Sequence, residues 1–235
     1  MNYKNIYILG IGGSGMSSIG KYLKQKELNV IGYDQRKSYI TNLLKQDGID
    51  VVFSESDIPY DKNNLYIFSS AIPIESEKFS KFQDKDNVIS RPQFLQNLSH
   101  ENKIIGITGT HGKTTTTSMV GNILQSLNLD PTVIVGGVVK SLESNSLLGR
   151  GDTFVVEADE YNKSLLHLNP TIAVINNIDF EHIECYEDLN DLKDTFIQFA
   201  NSVPFYGKVC LCSDFENIKS IIKKIDKPLT TYGIE

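Results

Sequence analysis

Two stretches of this sequence set glycines where a chain could wrap a phosphate. In Ile107-Thr108-Gly109-Thr110-His111-Gly112-Lys113-Thr114-Thr115 an apolar run gives way to a helical pattern. The logic is that of a P-loop: backbone N–H groups surround a β-phosphate, the Lys113 ammonium reaches the β/γ-oxygens, and the Thr114 hydroxyl ligates magnesium. The glycine expected five residues before Gly112 is Ile107, which makes this loop tighter than the common pattern. The expectation is an ATP site built from Gly109, Thr110, His111, Gly112, Lys113, Thr114 and Thr115, with Lys113 as the catalytic cation.

The second stretch, Gly10-Ile11-Gly12-Gly13-Ser14-Gly15, is a full G-x-G-x-x-G between a strand pattern and a helix pattern, with Asp34 closing the next strand. Glycines there let the backbone approach a diphosphate at the positive end of the helix. The motif leaves the nucleotide open: NAD, with Asp34 on a ribose hydroxyl, or a UDP-sugar. Carboxylates and an imidazole gather at two further strand ends, Glu157-Ala158-Asp159-Glu160 and Asn176-Asn177-Ile178-Asp179-Phe180-Glu181-His182. Hard cations prefer oxygen donors, so the carboxylates suit magnesium beside a P-loop; Glu157 and His182 are its expected ligands together with Thr114. Asp159, Glu160 and Glu181 read equally well as solvated loop charges. His100 and His167 read as surface or structural residues, and Cys210 and Cys212, alternating on one strand face, as core.

Positioning these groups takes parallel strands alternating with helices. Strands are expected at Ile6–Leu9, near Val30–Asp34, at Asp50–Phe53 and at Leu65–Ser69, with helices from about Ser14 to Lys26, Tyr39 to Gln46 and Arg91 to Leu98. The polar residues Ser99 to Lys103 then separate this half from a second alternation: strand 104–108, helix 113–127, strands 132–135, 153–157 and 172–175, helix 188–200 and strand 208–212. The expected class is α/β. A Rossmann-like parallel-sheet domain spans residues 1–100, and a P-loop-type ATP-binding domain, incomplete at its C-terminal end, spans 101–235.

Composition narrows the ligands. The chain has 235 residues, of which 40% are hydrophobic, and a formal net charge of -6. It offers no basic stripe for nucleic acid, so small molecules are the expected partners. Three cysteines without framework or zinc spacing suit a reducing cytosol. The opening apolar run is too short for a signal peptide, and no run nears the roughly 18 apolar residues of a membrane-spanning helix. A cytoplasmic protein without membrane contact is expected.

Taken together the motifs resemble those of the Mur ligases, and within them the alanine-adding branch. The resemblance rests on Gly10 through Ser17, Ser69-Ser70-Ala71-Ile72-Pro73, Ile107 through Ser118, Glu157 through Glu160, Asn177-Ile178-Asp179 with His182, and Pro204-Phe205-Tyr206-Gly207, in the family's order along the whole chain. It implies ATP-dependent joining of L-alanine to UDP-N-acetylmuramate through an acyl phosphate, with ATP and Mg2+ in the second domain and the UDP-sugar in the first. It implies that Gly10, Gly12, Gly13, Ser14, Gly15, Met16, Asp34, Ser69, Ser70, Arg91 and Asn177 lie at the UDP-sugar. Thr114, Glu157 and His182 match the family's metal positions, and His182 joins Lys113 as a catalytic residue. Two positions depart from the family: Tyr161-Asn162 stands where Ser-Asp is usual, and Glu181 where Asp is usual. The resemblance also implies a remainder of the central domain and a C-terminal domain that this chain does not contain. Two further readings are a non-catalytic binding module of the same fold and the related murein-peptide recycling ligase.

Overall fold

The computed structural model describes residues 3–139, 144–180 and 185–234, apart from the side chains of 137–139 and 144–146. The chain divides into two compact units, Met1–Phe94 with Gly136–Leu148, and Leu95–Val135 with Gly149–Glu235.

The first unit contains β1 (Ile6–Leu9), α1 (Ser14–Gln25), β2 (Val30–Tyr33), α2 (Tyr39–Gln46), β3 (Asp50–Val52), β4 (Leu65–Phe68), β5 (Val88–Ser90) and the start of α3 (Arg91–Glu101). Its sheet is parallel with order β3-β2-β1-β4-β5. The central strand β1 is covered on both faces, which is why Ile6-Tyr7-Ile8-Leu9 has no polar residue and all four are buried. Tyr7 and Leu9 join Tyr33, Tyr66, Phe79 and Phe82 in one core cluster, where the Tyr7 and Tyr66 rings stack at 5.2 Å. The direction of strand addition reverses between β1 and β4, opening a crevice at their carboxyl ends where the glycine loop lies.

The second sheet carries β6 (Lys103–Thr108), β7 (Thr132–Val139), β8 (Ser144–Leu147), β9 (Thr153–Glu157), β10 (Ile172–Ile175), β11 (Lys208–Cys212) and β12 (Leu229–Tyr232) in the order β12-β11-β10-β6-β9-β7-β8. Helices α4 (Lys113–Ser126), α5 (Leu189–Asn201) and α6 (Glu216–Ile221) complete it. β6 pairs in parallel with β9 on one side and β10 on the other. The carboxyl ends of these three strands therefore deliver Gly109–Thr115, Glu157–Glu160 and Asn176–Asp179 to one place.

The parallel α/β class is as expected, and three local features differ. α3 continues to Glu101, because nothing after Leu98 breaks it and the Asn102 amide donates to the Leu98 carbonyl at 2.9 Å, closing the last turn. β7 runs through Gly136 and Gly137 to Val139 instead of stopping at Val135. β5, β8 and β12, all at sheet edges, are strands that the pattern did not announce.

Candidate functional site

The helix starts single out the two glycine loops. Ser38 caps α2 by accepting from Thr41 N at 3.2 Å, and the Asp188 carboxylate caps α5 by accepting from Asn190 N and Asp191 N at 2.8 Å each. Ser90 and Gln93 do the same for α3, with Ser90 N donating to Gln93 Oε1 at 2.7 Å. α1 and α4 are different: their N-caps are Gly13 and Gly112, neither has a side-chain cap, and neither has an acid in its first turn. Uncapped N–H groups at the positive end of a helix form an anion receptor.

At α4 the loop is gripped from β10. His111 N donates to Asn177 Oδ1 at 2.7 Å, and Asn177 Nδ2 donates back to the His111 carbonyl at 3.1 Å. Thr110 Oγ1 accepts from Asp179 N at 2.8 Å and donates to the Asp179 carbonyl at 3.0 Å. Asn176 Nδ2 donates to Thr116 Oγ1 at 3.1 Å. The grip is close enough that a Cβ at Gly109, where φ is +132°, would lie 3.0 Å from Asn177 N. Asn177, grouped by sequence with the sugar site, lies in the second unit and clamps the Gly109–Thr115 loop. His111 lies 3.6 Å from Asp179, and Thr115 is exposed on the first turn of α4.

Lys113 folds back over the loop. Its Nζ lies 2.9 Å from both Glu160 carboxylate oxygens, 2.8 Å from the Gly109 carbonyl and 3.2 Å from the Thr110 carbonyl. Glu160 is 1% exposed, and burial pushes its carboxyl up while Lys113 pulls it down. Tyr186 donates its hydroxyl to the Glu160 carbonyl; burial, then the charge of Glu160, raise that phenol. Asp159, read equally as a loop charge, accepts from Tyr161 N at 3.1 Å and shapes the turn after β9.

Thr114 Oγ1 donates to Glu157 at 3.2 and 3.1 Å. A hydroxyl and a carboxylate side by side, both hard oxygen donors, fit a magnesium ion. Among the described residues no group of three or more His, Cys, Asp or Glu is assembled. His182, the third expected metal ligand, lies outside the described residues, as does Glu181.

In the first unit, Gly12 N donates to Asp34 Oδ2 at 2.8 Å and Arg36 N to Oδ1 at 3.2 Å. A Cβ at Gly12 would sit 2.7 Å from that carboxylate. Both oxygens of Asp34, the residue expected on a ribose hydroxyl, accept from backbone N–H groups. Gly10 packs against Ser69, Gly13 N donates to the Gly10 carbonyl at 3.1 Å, and Ser14 Oγ bonds the Gly136 carbonyl. The Arg91 guanidinium covers Gly15, where a Cβ would lie 3.0 Å from Nη2, so a cation stands at the open start of α1. Ser70 is exposed beside Ser69. Met16, expected at the UDP-sugar, is 2% exposed, its side chain on the inner face of α1 with Ile19 and Leu23.

Sequence reasoning passed over Glu160, Asn176 and Tyr186 as site-shaping residues. The polar pair Asn176-Asn177 directly after an apolar strand was the available signal for one of them; Tyr186 had none.

Two family models match the chain: "Mur ligase family, catalytic domain" over residues 5–103 and "Mur ligase middle domain" over 107–235. A UDP-N-acetylmuramate–L-alanine ligase from Persephonella marina is 42% identical over 98% of this chain and 50% of its own length. The chain spans about half the length of the curated relatives it matches. Among solved structures, the UDP-N-acetylmuramate-alanine ligase of Thermotoga maritima superposes with a TM-score of 0.82 at 26% identity, over 98% of this chain and 53% of that one. The UDP-N-acetylmuramate:L-alanyl-γ-D-glutamyl-meso-diaminopimelate ligase of Neisseria meningitides gives 0.86 at 27%, over 97% and 78%.

Proposed function

The chain belongs to the Mur ligase family, and from that premise we propose that it is the UDP-sugar- and ATP-binding part of a ligase that joins L-alanine to UDP-N-acetylmuramate. The observation that carries the reading is the uncapped start of α4, with Lys113 and the Thr114–Glu157 pair beside it. ATP phosphorylates the muramoyl carboxylate, the amine of L-alanine attacks the acyl phosphate, and phosphate leaves as the amide forms. Backbone N–H groups of Gly112 to Thr115 hold the phosphates, and Lys113 offsets the charge on the transferring phosphoryl group. Thr114 and Glu157 are the residues that would hold magnesium, with His182 the further candidate. The metal, when bound, neutralises phosphate charge. The uncapped start of α1, with Arg91 across Gly15, would take the diphosphate of the sugar nucleotide. A cytoplasmic location suits these substrates, and no described helix is long and apolar enough to cross a membrane.

The alanine-adding reading is favoured over the peptide-recycling one by relatives such as that of Persephonella marina at 42% identity. The test is phosphate release by the full-length protein given UDP-N-acetylmuramate and ATP, with either L-alanine or the tripeptide L-alanyl-γ-D-glutamyl-meso-diaminopimelate. Release that depends on L-alanine and disappears with Lys113→Ala supports the proposal. Release only with the tripeptide moves the protein to the other reading, and sugar binding without release in any combination makes it a non-catalytic module.

A further inference from the structure

The Lys113 ammonium has three N–H donors, and four acceptors already lie within 3.2 Å of it: two carboxylate oxygens of Glu160 and the carbonyls of Gly109 and Thr110. No donor is left for a phosphate. A carboxylate presents two oxygens to an ammonium much as a phosphoryl group does. We propose that Glu160 is a positioning residue that acts as a latch: without nucleotide it occupies the place on Lys113 that phosphoryl oxygens take when ATP enters. This rests on reading Gly109–Thr115 as the ATP loop.

The backbone that carries this carboxylate is held in place. The Glu160 carbonyl accepts from Tyr186 Oη and from Lys163 N at 3.0 Å. The turn behind it holds two consecutive non-glycine residues in the left-handed region, Asn162 at φ +52° and Lys163 at φ +55°. Such a backbone persists only where its surroundings fix it. Here Lys163 is fixed by an ion pair with Asp191 at 2.7 Å and by its place 5.6 Å over the Tyr186 ring. Lys113 is the mobile partner, an ammonium on a flexible four-carbon stem. Nucleotide entry therefore exchanges a buried carboxylate for phosphate on one cation, and the latched population subtracts from apparent affinity.

The experiment is titration of the chain with ATP in excess Mg2+, comparing the wild type with Glu160→Gln, Tyr186→Phe and Lys113→Ala. Glu160→Gln keeps size and a hydrogen-bond acceptor but removes the competing charge, and should lower Kd by roughly three- to tenfold. Tyr186→Phe loosens the turn and should tighten binding in the same direction by less, which decides the matter if the glutamine variant does not fold. Tighter binding is a readout that mere structural damage does not produce. Unchanged or weaker binding in a folded Glu160→Gln variant, beside a wild type that binds and a Lys113→Ala variant that does not, overturns the latch alone. Absence of ATP binding in the wild type and Glu160→Gln alike overturns the phosphate-loop reading and the latch with it.

Discussion

Replacing Asn177 tests whether the residues that follow β10 set the shape of the Gly109–Thr115 loop. Its amide makes two hydrogen bonds to one backbone residue, accepting from His111 N at 2.7 Å and donating to the His111 carbonyl at 3.1 Å, from a side chain on a residue only 9% exposed. Each such bond contributes about 0.5–1.5 kcal/mol net, so Asn177→Ala should cost about 1–3 kcal/mol. Asn177→Asp is the sharper perturbation. It keeps the acceptor for His111 N but sets a second carboxylate oxygen against the His111 carbonyl, acceptor facing acceptor. It loses one bond and adds a repulsion, so its cost should match or exceed that of alanine, about 2–3 kcal/mol. Urea unfolding at neutral pH measures both. Since 1 kcal/mol shifts a melting midpoint by roughly 2–4 °C for a chain of this size, thermal scans give an independent check. Both variants should also weaken ATP binding, because the loop N–H groups lose their common orientation. If both lie within about 0.5 kcal/mol of wild type, the range of an ordinary surface substitution, the clamp has no energetic content and the reasoning fails.

Three other outcomes follow from the same geometry. Thr114→Val keeps the shape of the side chain but removes the hydroxyl beside Glu157, and should reduce magnesium-dependent ATP affinity about tenfold or more, with metal-free binding little changed; calorimetry at two magnesium concentrations decides. Asp34→Ala frees Gly12 N from its carboxylate and should cost about 1–3 kcal/mol, measurable by denaturation, while added NAD leaves the wild-type melting point unmoved. The hydrogen bond and charge from Lys163 hold the Asp191 carboxyl below its ordinary value. Its stabilising effect is then present above the unfolded pKa and lost as pH falls through the lowered folded one, so Asp191→Asn should flatten the acid limb of a stability profile below about pH 4.

How much of this could be read from the sequence depends on range. The glycine loops were legible because a strand, a tight turn and a helix start are consecutive in the chain. Glu157 was singled out as a metal ligand, but the roles of Asp159 and Glu160 were not separable, although the three do three jobs: one meets Thr114, one shapes a turn and one holds Lys113. Spacing along four residues cannot tell them apart, because the chain leaves β9 and turns between the first and the last. Their partners come from the loop after β6, which neighbours β9 only because β7 is placed one strand further out. The unannounced strands failed for a different reason. β5 and β12 sit at edges and keep much of their surface open, so Val88-Ile89-Ser90 and Leu229-Thr230-Thr231-Tyr232 lack the buried apolar run that marks β1. Met16 follows the glycine loop in sequence, and its side chain lies on the helical face that the core requires, a burial that motif adjacency does not announce.

The two glycine loops solve one problem with opposite charges. Under the proposed function each must hold a glycine turn at a helix start that is left uncapped, because a capping side chain would occupy the anion's place. In the second unit the turn is held by a neutral amide, Asn177, and the cation is the loop's own Lys113. In the first it is held by a carboxylate, Asp34, on the backbone of Gly12, which adds negative charge near the very N–H groups that are to attract a diphosphate. Arg91 over Gly15 supplies the compensating cation, and it comes from the first residue of α3, at the end of β5. The proposed first site would therefore depend on a residue about eighty positions away in the chain, whereas the lysine of the second lies within its own loop. Arg91→Lys keeps the charge and loses the planar contact with Gly15, so it should weaken UDP-sugar binding without touching ATP binding, and titration of each ligand separately distinguishes the two.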